Sequence, residues 1–386
     1  MTNKKFKLAA MSLATAVAVS TVGPSASAVT YYLGNGSVTV DQDKDGNGAY
    51  SYQGTDNGEN RTYVNNDPFD EDGTIHIEGG NGPSTDNSNN GTEENTLTDN
   101  ATQSTDASGN NTENDTATET TTPNTITVKE DVTGATIVVD GVNVDTTSTP
   151  TEVATDTGNT GDKTIIKVGE GADVDLTVRD SNLTTGGHGI DIGVNLEGKD
   201  DNKGANVDLT LDNTQINLTQ NGKAGINVQD NSDVDLTLKG ENAIDGSKAI
   251  ENEKESILTS SVNVEGIRVG DGGASDGSGT SAGANTELII SGGVEKTETA
   301  ETDTEETESP AGGSLTISKT TGGLVMADGS DVEITDGADV TIEDTRTSGA
   351  SQAGRAVTQH GDLTISGGSS LTIDGVEDNA KDPPHT

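Results

Sequence analysis

The sequence predicts an all-β fold, a right-handed parallel β-helix with a small N-terminal β cap and disordered acidic insertions, on three observations. One strand pattern recurs four times with its faces in phase, at Ala135 to Asp140, Val174 to Arg179, Val207 to Asp212 and Val234 to Lys239. Equivalent residues are separated by 39, 33 and 27 residues (135 to 174, 174 to 207, 207 to 234), as coils with insertions at their corners would be. Only 28% of the 386 residues are hydrophobic and 2% aromatic, too few for an ordinary globular core but enough for a narrow solenoid.

Side chains on a strand point alternately to opposite faces. Three inward columns are therefore expected: Ala135/Val174/Val207/Val234, Ile137/Leu176/Leu209/Leu236 and Val139/Val178/Leu211/Leu238. One outward column, Asp140, Arg179, Asp212 and Lys239, alternates in sign, which suits strands lying parallel and side by side. A second holds Val138, Thr177, Thr210 and Thr237, three of them the same β-branched residue. The third, Thr136, Asp175, Asp208 and Asp235, stacks three carboxylates. At about 4.8 Å apart they repel by roughly 1 kcal/mol per pair in water. Each buried aliphatic side chain returns roughly 1.5–3 kcal/mol, so packing wins and the column becomes a candidate cation site. The 27-residue coil divides into three strands, Val207 to Leu211, Gln215 to Leu218 and Gly225 to Val228, with Asp, Asn and Gly at the bends. Asn143, Asn182 and Gln215 share one bend and are expected to form an amide ladder, with Asn242 displaced by an extra residue. The right hand follows from the general preference of parallel crossovers.

Residues 1–28 read as an export signal: Lys4, Lys5 and Lys7, an apolar run from Leu8 to Val22, and the small residues Ala26-Ser27-Ala28 before a mature start at Val29. Losing three lysines takes the net charge from −45 to −48. Such acidity argues against nucleic acid or anionic lipid as partner and for cations, and no later run is apolar enough to insert into a membrane. With no cysteine, neither disulfides nor thiolate metal sites hold the chain together. A secreted or surface-held protein is expected.

Residues 29–83 are expected to form the cap, because all five tyrosines lie there. Ser37 to Val40 and Ala49 to Tyr52 predict a hairpin, and Thr74 to Ile77 a further strand. Between the hairpin strands, Asp41, Asp43, Asp45 and Gly46 match the first half of a calcium loop, but Tyr52 stands where the closing Glu would be. A plain polar turn is the other reading. Residues 84–122 contain one large apolar residue, Leu97, and are expected to be a disordered corner insertion. The β-helix proper is expected over 123–293, an acidic disordered loop over 294–311, further coils over 312–376 and a tail over 377–386. In the last coils Val332/Val340 and Leu363/Leu371 repeat at a spacing of eight, as successive sides of a coil would.

The succession Gly141-Val142-Asn143-Val144, Val234 to Leu238, Gly240-Glu241-Asn242, Gly266-Ile267-Arg268-Val269 and Leu288 to Gly293 resembles the secreted bacterial proteins described as carbohydrate-binding-domain-containing. The resemblance covers about residues 30 to 375 and implies extracellular glycan binding, but it carries no binding residues with it. Sugar sites usually pair aromatic platforms with fixed polar groups, which makes Tyr50, Tyr52 and Tyr63 the candidates, with core packing of the cap as their alternative role. Calcium or water bridges on the flat Asp/Thr face are the other route.

Two further classes stay open. A ligand-free structural rod needs no pocket. A polysaccharide lyase or hydrolase needs a base beside calcium or paired carboxylates, and only Arg179 with Asp175 and Asp208 offers that on the repeat face. One rung of the charge column explains the same arginine more simply, so a non-enzymatic binder without a resident cofactor is the expectation. The four histidines, His76, His188, His360 and His385, show no metal-ligand spacing.

Overall fold

The computed structural model describes residues 29–42, 48–56, 59–65, 74–79, 121–147, 163–196, 198, 203–252, 262–270, 285–293, 312–346 and 354–376. They form a three-sided parallel β-helix. The expected signal, Asp43, Asp45 and Gly46, and residues 84–120, 294–311 and 377–386 lie outside the described residues.

The first sheet has nine strands, all parallel: Val29–Tyr32, Thr74–Glu78, Thr133–Asp140, Asp173–Arg179, Asn206–Asp212, Asp233–Lys239, Glu287–Gly292, Asp331–Thr335 and Asp362–Ile365. The second has seven: Asn143–Asp145, Asn182–Thr185, Gln215–Leu218, Glu241–Asp245, Ser314–Ser318, Asp339–Glu343 and Ser370–Asp374. The third has eight parallel strands, from Gly36–Gln42 through Ile126–Val128, Ile166–Gly169, Ile190–Val194, Lys223–Val228, Val264–Val269 and Gly322–Met326 to Arg355–Gln359. From Thr133 onward the chain visits the sheets in strict rotation. With rungs about 4.8 Å apart, the nine-stranded side is roughly 40 Å long.

All four expected strand copies pair in the expected register, Val174 with Ala135 and Val207, and Val207 with Val234. Their inward side chains are buried in one continuous core. The second sheet adds the column Val144, Leu183, Ile216, Ile244, Ile317, Ile342 and Ile373. The third adds Ile126, Ile166, Ile190, Ile226, Ile267, Leu324 and Val357. In its last rung the neighbouring column, Val228, Val269 and Met326, ends on Gln359. The final coil is correspondingly thin, and Ile365, Ile373 and Val376 are almost half exposed.

The N-terminal region belongs to the helix more directly than a separate cap would. Val29–Tyr32 and Thr74–Glu78 open the first sheet, and Gly36–Gln42 pairs parallel with Ile126–Val128. Capping falls to Gly48–Asp56 and Glu59–Asn65, which add two antiparallel strands to the third sheet. The insertion expected to run through 122 also ends sooner. Thr122 bridges Val144 and takes the second sheet's place in its coil.

A column of glycines opens the third side. Gly189, Gly225, Gly266 and Gly323 precede the inward Ile or Leu of successive rungs. Each faces the isoleucine column of the second sheet across the corner, so that a β-carbon on Gly225 would lie 2.6 Å from the Ile244 Cγ2 methyl. Glycine is needed there for close approach, not for an unusual φ.

Candidate functional site

The outer face of the first sheet carries two adjacent columns of mostly acidic side chains. Asp175, Asp208 and Asp235 stand on successive rungs, as expected, followed by Ile289 and Glu333. Two residues before each lies a second column that the sequence reading missed: Asp173, Asn206, Asp233, Glu287, Asp331 and Asp362. Both columns have the same outward phase, so nine carboxylates share one face of the sheet. The sequence signal is an acidic or amide residue immediately before each inward Val or Leu, one position ahead of the repeat that starts at the valine.

Among the described residues, none of these nine carboxylates forms an ion pair. Asp208 is pushed up to about 6, first by burial among its neighbours and then by Asp175 and Asp235. Asp233, Asp235 and Glu287 are raised as well, burial leading in each. Partial relief comes from neutral donors: Asn206 Nδ2 donates to Asp173 Oδ1 at 2.9 Å and Thr136 Oγ1 to Asp175 Oδ2 at 3.4 Å. The carboxylates form lines and not a cage. Among the described residues, no group of three or more His, Cys, Asp or Glu side chains is placed to hold a metal ion.

The alternating column beside them is a charge ladder. Arg179 lies between Asp140 and Asp212 in register and binds Asp140 Oδ2 at 2.5 Å. That hydrogen bond leads the causes that raise its pKa. Its guanidinium is thus part of the ladder. Of the expected calcium loop, Asp41 is described and pairs with Lys129 at 2.7 Å. Tyr50 and Tyr52 lie opposite Val40 and Val38, and Tyr63 opposite Tyr52; their side chains lie outside the described residues.

The amide ladder forms in register but bonds indirectly. Asn143, Asn182 and Gln215 stack, yet Asn217 supplies the link, donating to Asn182 Oδ1 at 2.8 Å and accepting from Gln215 at 3.0 Å. Asn242, displaced as expected so that Ala243 stands opposite Gln215, turns into the core. Its Oδ1 accepts from Thr214 N, and its Nδ2 donates to the carbonyls of Leu211, Lys239 and Ser314. His188, scattered in sequence, is also a buried structural group, its Nδ1 accepting from Ala224 N at 3.0 Å.

A second surface feature follows the strand Glu241–Asp245. The one-and-a-half-turn helix Ser247–Asn252 stands on the corner between the second and third sides, its Ala249 and Ile250 buried. Beside it runs an open groove of about 370 Å³ that reaches back across the three preceding coils to Asp145. No family model matches the sequence, and no curated protein or solved structure matches it.

Proposed function

We propose that the chain is an exported, non-enzymatic β-helix protein that adheres to carbohydrate-bearing surfaces, meeting them with the acidic face of the first sheet. The observation that carries this reading is the pair of adjacent carboxylate columns at regular rung spacing. A flat array of acceptors that keep some of their charge only at a cost suits divalent cations shared between the protein and a ligand's hydroxyl groups. Such open sites are weak, on the order of 10⁻⁴ to 10⁻³ M for extracellular calcium modules. Export rests on the lysine-flanked apolar start and the Ala26-Ser27-Ala28 site.

A glycan array with the chain from Val29 onward tests this, run with calcium and with chelator. Binding that requires calcium and weakens in Asp208→Asn supports adhesion through this face. No binding under either condition favours a structural rod without a ligand. That second reading draws support from the absence, among the described residues, of any convergent metal-ligand cluster. Incubation with uronate-containing polysaccharides, followed for unsaturated products, tests the lyase alternative.

A further inference from the structure

We propose that the groove beside the helix Ser247–Asn252 is a second binding site, independent of cations, for a neutral, hydroxyl-rich sugar. Its volume of about 370 Å³ lies at the small end of ligand sites, which span roughly 300–1,000 Å³. Asp145, Thr184 and Thr219 come from three successive coils, while Lys248 and Asn252 come from the helix and Gln220 from the turn below it. The frame is fixed. Ser247 donates to Asp245 through both its N–H (2.8 Å) and its hydroxyl (3.0 Å), and Asn252 Nδ2 donates to the Thr219 carbonyl at 2.9 Å.

Those internal bonds decide what is left for a ligand. Asp145 Oδ1 accepts from the N–H and hydroxyl of Thr147, leaving Oδ2 as an acceptor. The Thr219 hydroxyl donates to the Thr185 carbonyl and keeps its lone pairs, and Asn252 keeps its Oδ1. Among the described residues, the Lys248 ammonium and the Gln220 amide have no hydrogen-bond or ion-pair partner. Acceptors on the coils and on Asn252 therefore line the same groove as the donors of Lys248 and Gln220. Vicinal sugar hydroxyls, each both donor and acceptor, are matched by that arrangement.

Charge and polarity narrow the class. Asp145 and Glu251 outnumber Lys248, and the chain as a whole carries −45, so a uronate, sulfated or phosphorylated sugar meets a repulsive field. None of the lining residues is aromatic or aliphatic, which leaves no place to bury an acyl or aromatic substituent. The groove shares a ligand class with the acidic face but needs no metal, so a chelator separates the two.

The test is a titration of the full chain in chelator, followed by NMR, with maltotriose, cellotriose and mannotriose as neutral probes and trigalacturonate as the anionic one. At least one neutral trisaccharide is expected to bind saturably at millimolar concentration, and trigalacturonate not to bind. Gln220→Ala and Lys248→Ala are each expected to weaken binding about fivefold, the loss of one net hydrogen bond. Asp208→Asn is expected to leave it unchanged, and thermal melts of the three variants serve as the folding control. The assignment is overturned if no neutral trisaccharide binds, if trigalacturonate binds as well, or if both groove variants bind like the parent. Loss of calcium-dependent adhesion alone leaves it standing.

Discussion

The outer faces of the first and third sheets belong to the same coils and solve opposite problems. On the first, acidic residues recur on most rungs, and nine exposed or half-buried carboxylates repel one another. On the third, the residue changes at every rung: Lys167, Asp191, Asn227, Arg268 and Val325. There the polar groups satisfy each other. Asp191 Oδ1 accepts from Asn227 at 2.7 Å and from Gln229 at 2.9 Å, and Arg268 pairs with Glu265. Asp191, Asn227 and Glu265 are more than nine-tenths buried although they point outward. Repetition leaves charge available for something outside the protein, whereas variation uses it within.

If that contrast holds, substitutions on the third side should destabilise and neutralisation of the first should not. The largest effect is expected at the glycine column: Gly225→Ala forces a β-carbon to within 2.6 Å of Ile244 and 2.9 Å of the Gly266 carbonyl. Chemical denaturation should show a loss of about 1–3 kcal/mol. A similar loss, about 1–3 kcal/mol in the same assay, is expected for Asp191→Ala, which leaves the buried Asn227 amide and its neighbour Gln229 without their acceptor.

On the first sheet the sign reverses. Asp208→Asn removes repulsion from Asp175 and Asp235 and is expected to stabilise by no more than about 1 kcal/mol at neutral pH and low salt, fading as salt is added. The smallest effect is the pH dependence of the parent protein. Asp208 titrates near 6 when folded against an ordinary value of 3.8, so the folded state binds its proton first. Stability is therefore gained as pH falls through about 6 toward 4, and lost as pH rises. Thermal melts at low salt should give a higher midpoint at pH 5 than at pH 7, and the difference should shrink in Asp208→Asn.

The side of the helix that repeats itself was the legible one. Val174, Val207 and Val234 announced their register because inward aliphatics and outward charges kept the same phase in each copy. The third side was seen only as isolated Gly-Ile-x-Val fragments, because its outward residues differ at each rung and its glycines report contact with another sheet, not a local turn. The groove left no trace in any single segment. Asp145, Thr184 and Thr219 become neighbours only when three coils stack, and Lys248 joins them through a helix too short and too weakly patterned to stand out. Asn242 shows the converse: one extra residue predicted its displacement, but its four hydrogen bonds needed the coils above and below.

Residues 148–162 fall in sequence between the strands Asn143–Asp145 and Ile166–Gly169, and residues 294–311 between Glu287–Gly292 and Ser314–Ser318, so both connect one side of the coil to the next. Doubling such an excursion adds only about 0.6 kcal/mol of closure entropy. The corners are thus splice points at which segments can be exchanged, lengthened or tagged while every rung keeps its partner. A reporter peptide placed at one of them would ride on the rod without entering it.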